Sequence, residues 1–250
     1  MLMTTFKEYN GLGEELERLL ILRTSPLAVK MLEKKGDIPE GAIRPKRDRN
    51  YHIAQCQAFA LSRRERECIA MLKEDSWCWA PLVAYGLVDW RASADAILPK
   101  GQAERLPRFE DGKYIGIVSA PLKTANFEPD LVLVYSNTAQ LRNMIQVVKD
   151  KEKTLVTSQF DPIDSCVYSI VPVILNGQYR ITLPDPGECK RAMAGEDEII
   201  FSIPRNKIEM IVSGLPRAED KKRGYTHPGL ELTPDFPQPK FYTTLFKMWG

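Results

Sequence analysis

Two runs of almost continuous β-branched and aliphatic residues, Tyr114 to Ala120 (YIGIVSA) and Asp130 to Tyr135 (DLVLVY), do most to limit what this chain can fold into. A strand with one wet face alternates apolar and polar residues, whereas such runs suit strands covered on both faces. The chain therefore needs a sheet with helices on each side. Two helices are legible. Leu12, Leu16, Leu19 and Leu20 repeat at helical steps within Thr5 to Leu22, with Gly11 and Gly13 weakening the first half. Leu141, Met144, Ile145 and Val148 do the same within Thr138 to Lys149, behind a cap at Asn137 or Thr138.

Shorter elements fill in the rest. Leu27 to Leu32 reads as a strand after the breaking pair Ser25-Pro26, and Thr154 to Thr157 as another. Asn176-Gly177 is a turn before the alternating strand Tyr179 to Leu183; Glu198 to Ile203 is a strand, and Asn206 to Ser213 a helix ended by Gly214. Gly36 to Asn50 reads as an exposed loop, long enough to raise the question of a lid. Arg63 to Glu67 reads as a solvated turn, and Ser93 to Arg105 carries a weak helical signal. The expected class is α/β: a mixed sheet covered by helices over residues 1–214, with a subdomain division near residues 100–112 left open. From Leu215 onward Pro216, Pro228, Pro234, Pro237 and Pro239 indicate an extended tail. Its aromatic end, PKFYTTLFKMWG, is expected to dock on the body or on a partner subunit, as in a homo-oligomer.

Several function classes fall away. A net charge of +2 on 250 residues gives no reason to expect a nucleic-acid partner, and no apolar run reaches the about 20 residues of a membrane helix. The start MLMTTFKEYNGLGEEL lacks a secretory pattern, so a cytoplasmic protein is expected. No glycine-rich phosphate loop or Gly-Lys-Ser/Thr occurs, so no nucleotide cofactor is expected; Gly-x-Ser-x-Gly and Cys-x-x-Cys are absent too.

The chemistry-bearing stretch is Tyr51 to Gly86 (YHIAQCQAFALSRRERECIAMLKEDSWCWAPLVAYG), read as two short helices either side of a strand. Cys56 stands near the start of the first helix and Cys78, after Asp75 and Ser76, at the start of the second. Cys166, after Asp164 and Ser165, opens a later helix that reaches Pro172 with a kink or a stop. Unpaired N–H groups and the partial positive charge at a helix start lower a thiol's pKa. Free cysteine is also a common buried filler, the reading that best suits Cys68 in ECIAML. Five cysteines cannot all pair, so buried thiols and thiolate ligands stand as the two alternatives.

At these residues the chain resembles the family known as domain of unknown function 169 (DUF169), widespread in anaerobic bacteria and archaea. The resemblance runs over roughly residues 8 to 214. It is carried by TSPLAVKML, by CQAF at Cys56, by the Cys78 segment to Ala84-Tyr85-Gly86, by PDLVLVY with NTAQ, by Cys166 and by ITLP at Ile181 to Pro184. Family members tend to carry cysteines matching Cys56, Cys78 and Cys166 and often another just after the Leu-Pro pair, where this chain has Asp185, with Cys189 following. The resemblance favours a thiolate-bound metal or iron–sulfur cluster held by Cys56, Cys78 and Cys166, with Cys189 or Asp185 as the fourth ligand or that position open. It supplies no reaction, and the leading expectation is a metal- or cluster-binding protein in a redox or accessory role. Two further readings stand beside it. One is a metal-free module binding a small organic acid through helix N-termini and Lys30, Arg47 or Arg49. The other is an enzyme with Cys78 or Cys56 as nucleophile and His52 as base.

Overall fold

Six strands, β1 (Leu27–Leu32), β2 (Ile69–Leu72), β3 (Gly116–Pro121), β4 (Leu131–Ser136), β5 (Arg180–Thr182) and β6 (Ile199–Pro204), form one sheet in the order β2-β3-β1-β4-β6-β5. The structure is a computed structural model that describes residues 6–89, 106–215 and 240–249. The α/β class is as expected. Every neighbouring pair of these strands runs antiparallel, and among the described residues parallel pairing is confined to the isolated bridges Ile43 to Ile69 and Ile53 to Ser76.

Strands β3 and β4 are buried along their whole length, as their composition demands. On one face Ala28, Val118, Val132, Val134 and Phe201 pack under three helices: α1 (Phe6–Leu20), α5 (Thr138–Glu152) and α9 (Ile208–Gly214). Their apolar stripes supply Leu16 and Leu20, Met144 and Val148, and Ile208 and Ile211. On the other face Val29, Met71, Ile117, Leu133 and Tyr135 meet a layer of short helices: α3 (Gln55–Ala60), α4 (Trp79–Ala84), α6 (Ser165–Tyr168) and α7 (Val171–Asn176). Beside them lie α2 (Pro45–Arg49) and α8 (Pro186–Ala192). The cysteine-bearing segments belong to this second layer.

Gly13 shows why α1 tolerates a poor helix former. A Cβ there would meet the Lys123 backbone nitrogen at 2.7 Å, so the glycine lets α1 approach the turn after β3. Asn137 caps α5 as expected, its side chain accepting from the Gln140 backbone while Gln140 reaches back to the Asn137 N–H.

Several expectations need correcting. Thr154 to Thr157 is not a strand: this stretch makes no backbone ladder, and the contact with β5 runs through Ser158 Oγ, which accepts from the Ile181 N–H. The loop Gly36 to Asn50 contains α2 and is anchored. Arg44 is buried and paired with Asp75 at 2.6 Å and Glu74 at 2.7 Å, and Asp75 Oδ1 accepts from the Lys46 N–H. The solvated turn at Arg63 is a π-helical turn, Leu61–Glu65, in which Arg63 is 2% exposed. It is held there by two hydrogen bonds to Glu198, a partner remote in sequence. The helix opening at Cys166 does meet a stop before Pro172, as expected there: α6 ends at Tyr168, and Pro172 lies in the first turn of α7.

Residues Met1–Leu215 form one compact unit and Pro216–Gly250 another. The helical signal at Ser93 to Arg105 lies outside the described residues, as do residues 100–105 of the 100–112 division and the stretch from Pro216 to Pro239. The aromatic end of the second unit is a helix, α10 (Lys240–Trp249), with Phe241, Phe246, Met248 and Trp249 exposed. No helix among the described residues is long and apolar enough to cross a membrane.

Candidate functional site

Short helices place the three predicted cysteines. Cys56 is the second residue of α3, Cys78 is the N-cap of α4, and Cys166 is the second residue of α6. Local chemistry sets these starts. Gln57 Oε1 accepts from the Ala54 N–H at 2.9 Å, closing the entry to α3. The Cys78 N–H donates to Ser76 Oγ at 3.2 Å, and the Tyr85 hydroxyl at the end of α4 donates to the Cys166 carbonyl at 2.8 Å, tying α4 to α6. Asp164 enters α6 with a φ of 59° and makes no side-chain cap.

The structure brings these three thiols into one neighbourhood. Cys56 and Cys78 pack together with Ala54, Ala60 and Ala192, and the Cys78 and Cys56 sulfurs both act electrostatically on Cys166. Two carboxylates of α8 join them: Glu188 and Asp185 raise the pKa of Cys56 and of Cys166. Cys189 is placed differently. It is half-buried on α8, and after burial the strongest influences on it come from Glu196, Glu188, Asp185 and Glu198. Cys68 packs at the edge of the first core layer, where burial raises its thiol to about 11, in keeping with a filler.

The three thiols are shifted away from the thiolate character expected of a helix start. Burial pushes Cys56 up to about 12 and Cys166 well above its ordinary value; Cys78 also rises, through burial first, with Asp164 and Asp185 adding less and Arg191 opposing. The backbone N–H of Ala80 lowers Cys78, as a helix start should, but desolvation outweighs it. These are neutral thiols in a dry, acidic surrounding. Among the described residues no three side chains of His, Cys, Asp or Glu are grouped so as to hold a metal ion. The sulfurs are neighbours without being a gathered donor set.

Asp185 has structural work. Its Oδ1 accepts from the Glu188 N–H at 2.7 Å and caps α8, while Oδ2 accepts from the Ser165 N–H at 3.1 Å. Ser165 Oγ lies 3.0 Å from Asp185 Oδ2 and 2.6 Å from Glu188 Oε2. One hydroxyl proton cannot serve two carboxylates. Protonation of Glu188 resolves the conflict, since Glu188 then donates to Ser165 and Ser165 donates to Asp185. Burial of Glu188, 1% exposed, raises its pKa in the same sense and outweighs the lowering by its hydrogen bonds to Ser165 and Tyr135, whose hydroxyl donates to its other oxygen at 2.5 Å. Arg63 lies 3.9 Å above the Tyr135 ring, so a polar chain runs from Glu198 through Arg63 and Tyr135 to Glu188 and Ser165 beside Cys166.

Sequence reasoning missed Glu188 and Arg63. Asp185 followed three residues later by Glu188 was the available signal, because that spacing marks a helix entry. His52 precedes α3 and is exposed, while Cys56 is buried. The Ile53 to Ser76 bridge holds this approach extended, so the helical spacing supposed for a base and its nucleophile does not arise. Arg47 pairs with Asp48 at 2.6 Å and Arg49 with Glu67, and Lys30 lies in β1. Two of the three basic residues proposed for an organic acid are thus already paired with carboxylates.

Comparison with known proteins adds kinship without an activity. The sequence model of the DUF169 family, described as uncharacterised ArCR, matches residues 15–214. An uncharacterized protein of Methanocaldococcus jannaschii is 22% identical over 218 residues, covering 81% of this chain and 91% of its own length. No solved structure matches the chain.

Proposed function

Since the chain belongs to the DUF169 family, whose description assigns no activity, we propose from its own residues that it is a cytoplasmic protein binding a soft cation at Cys56, Cys78 and Cys166. The cation is a thiophilic metal ion or an iron–sulfur cluster, in a redox or accessory role, with Asp185 or Cys189 as the candidates for a fourth ligand.

The observation that supports this reading is the accumulation of acids around one spot. Cys56, Cys78, Cys166, Glu188 and Asp164 are all shifted toward their protonated forms, chiefly by burial, and the Asp185 carboxylate adds to every one of these shifts. A cation reverses each of these shifts at once, and a soft one prefers sulfur. An anionic ligand would add to the repulsion, and a nucleophilic cysteine would need a thiol shifted the other way. Because the sulfurs are not gathered, binding must turn them together and release their protons, so affinity is expected to increase with pH.

The test is purification and reconstitution without oxygen, followed by elemental analysis and an absorption spectrum. Bound metal, with a broad band near about 400 nm if iron–sulfur, should be lost in Cys56→Ser, Cys78→Ser and Cys166→Ser and kept in Cys68→Ser. Protein that stays metal-free after reconstitution with iron and sulfide and with zinc would remove the reading.

A further inference from the structure

The turn that buries Arg63 leaves a second cluster of arginines at the surface. Arg23, Arg63, Arg64 and Arg66, with the hydroxyl residues Thr24 and Ser25, line a cavity of about 220 Å³ whose lining also includes Glu17. We propose that this cavity binds a small phosphate-type oxyanion, with Arg64 and Arg66 as its principal ligands.

The charge count favours an anion. Arg63 is matched by Glu198 and Arg23 by Asp197 at 2.6 Å. Glu17, the acid on the wall, is matched by Lys123 at 2.5 Å. Arg64 donates to the Met193 carbonyl, a neutral partner, and Arg66 is exposed; neither forms an ion pair among the described residues. Two unbalanced guanidiniums therefore share one cavity.

The frame is built to hold them. Arg63 to Arg66 leave the chain at the π-helical turn Leu61–Glu65, and Arg66 follows it in the left-handed region at a φ of 62°. Such turns recur at functional positions. The Ser25 N–H donates to the Arg63 carbonyl at 3.1 Å, locking the turn to the segment that carries Thr24 and Ser25. Thr24 Oγ1 accepts from Arg63, which leaves its own proton to donate. The buried Arg63 fork fixes the floor. Guanidinium forks and hydroxyls arriving from two segments offer more donors than a planar carboxylate can accept, and suit the tetrahedral oxygens of phosphate.

The experiment is calorimetric titration of the full chain with inorganic phosphate and with pyrophosphate at low ionic strength. Saturable binding is expected, weakening as salt is added and falling at least tenfold in Arg64→Gln/Arg66→Gln. Arg142→Gln, on the exposed side of α5, should bind as the parent does. Circular dichroism establishes that each variant is folded; if the double variant is not, Arg66→Gln alone should still weaken binding. Absence of saturable binding, equal loss in Arg142→Gln, or tighter binding of succinate than of phosphate would each overturn the assignment. None of these results depends on the thiol site.

Discussion

Arg63 and Glu198 face each other fork to fork, at 2.9 and 3.0 Å, with both side chains almost withdrawn from water and the guanidinium resting on the Tyr135 ring. Removing one partner strands the other as a buried charge, which costs about 3–5 kcal/mol. Arg63→Met should lose stability on that scale in urea unfolding. Arg63→Met/Glu198→Leu should recover a large part of it, since a matched apolar pair leaves no stranded charge. A double variant as unstable as the single would show that the pair is not the cause.

A proton held on Glu188 by the Ser165 contact would give an uneven response to substitution. Glu188→Gln keeps an acceptor for Tyr135 and a donor for Ser165, so its stability near neutral pH should lie within about 1 kcal/mol of the parent. Glu188→Ala leaves both hydroxyls unmatched and should cost about 1–3 kcal/mol. Equal losses in the two variants would place the proton elsewhere.

Gly13→Ala puts intrinsic propensity against packing. In an open helix the change would stabilise by up to about 1 kcal/mol. Here the new methyl would sit 2.7 Å from the Lys123 nitrogen and 3.0 Å from the Leu122 carbonyl carbon, both backbone atoms. A net destabilisation of about 1–3 kcal/mol is expected. A rise in melting temperature would show that α1 can move away from this turn.

Asp164 gives stability a pH dependence of known sign. Burial first, then Asp185 and Asp161, raise its pKa from 3.8 to about 6, so the folded protein holds a proton that the unfolded chain releases. Its contribution is fully present below the ordinary carboxylate range and is lost as pH rises through about 6. Asp164→Asn should therefore match the parent in acid and exceed it above that window. Asparagine also tolerates the left-handed backbone at this position. A difference that does not vary with pH would contradict this.

Thiol reactivity in metal-free protein should follow burial. Cys189 is expected to alkylate ahead of Cys56 and Cys166 at neutral pH. With its thiol pushed up to about 12, Cys56 should react ever faster across the alkaline range without a plateau near 9.0. Peptide mass spectrometry reads the order, and rapid modification of Cys56 at neutral pH would reverse the assignment of a neutral thiol.

Much of the fold could be read from local pattern. The buried runs of β3 and β4, the stripes of α1 and α5, and the helix starts at Cys56, Cys78 and Cys166 are set by neighbours a few residues away. What escaped reading depends on distant partners. Arg63 sits in a charge run that looks solvated because nothing nearby shows Glu198. Glu188 looks like a surface acid until Tyr135 and Ser165 close on it. The helix-start argument for low thiol pKa failed in the same way, because the sequence does not reveal how dry the common neighbourhood is.

The place of β1 in the sheet bears on synthesis. It is the earliest strand in the chain, yet it lies between β3 and β4, which leave the ribosome much later. While translation proceeds, Leu27 to Leu32 is an apolar ribbon with both hydrogen-bonding edges bare, a target for holding chaperones or for mispairing between nascent chains. Slowing elongation before Ser136 should therefore lower soluble yield more than slowing it afterwards.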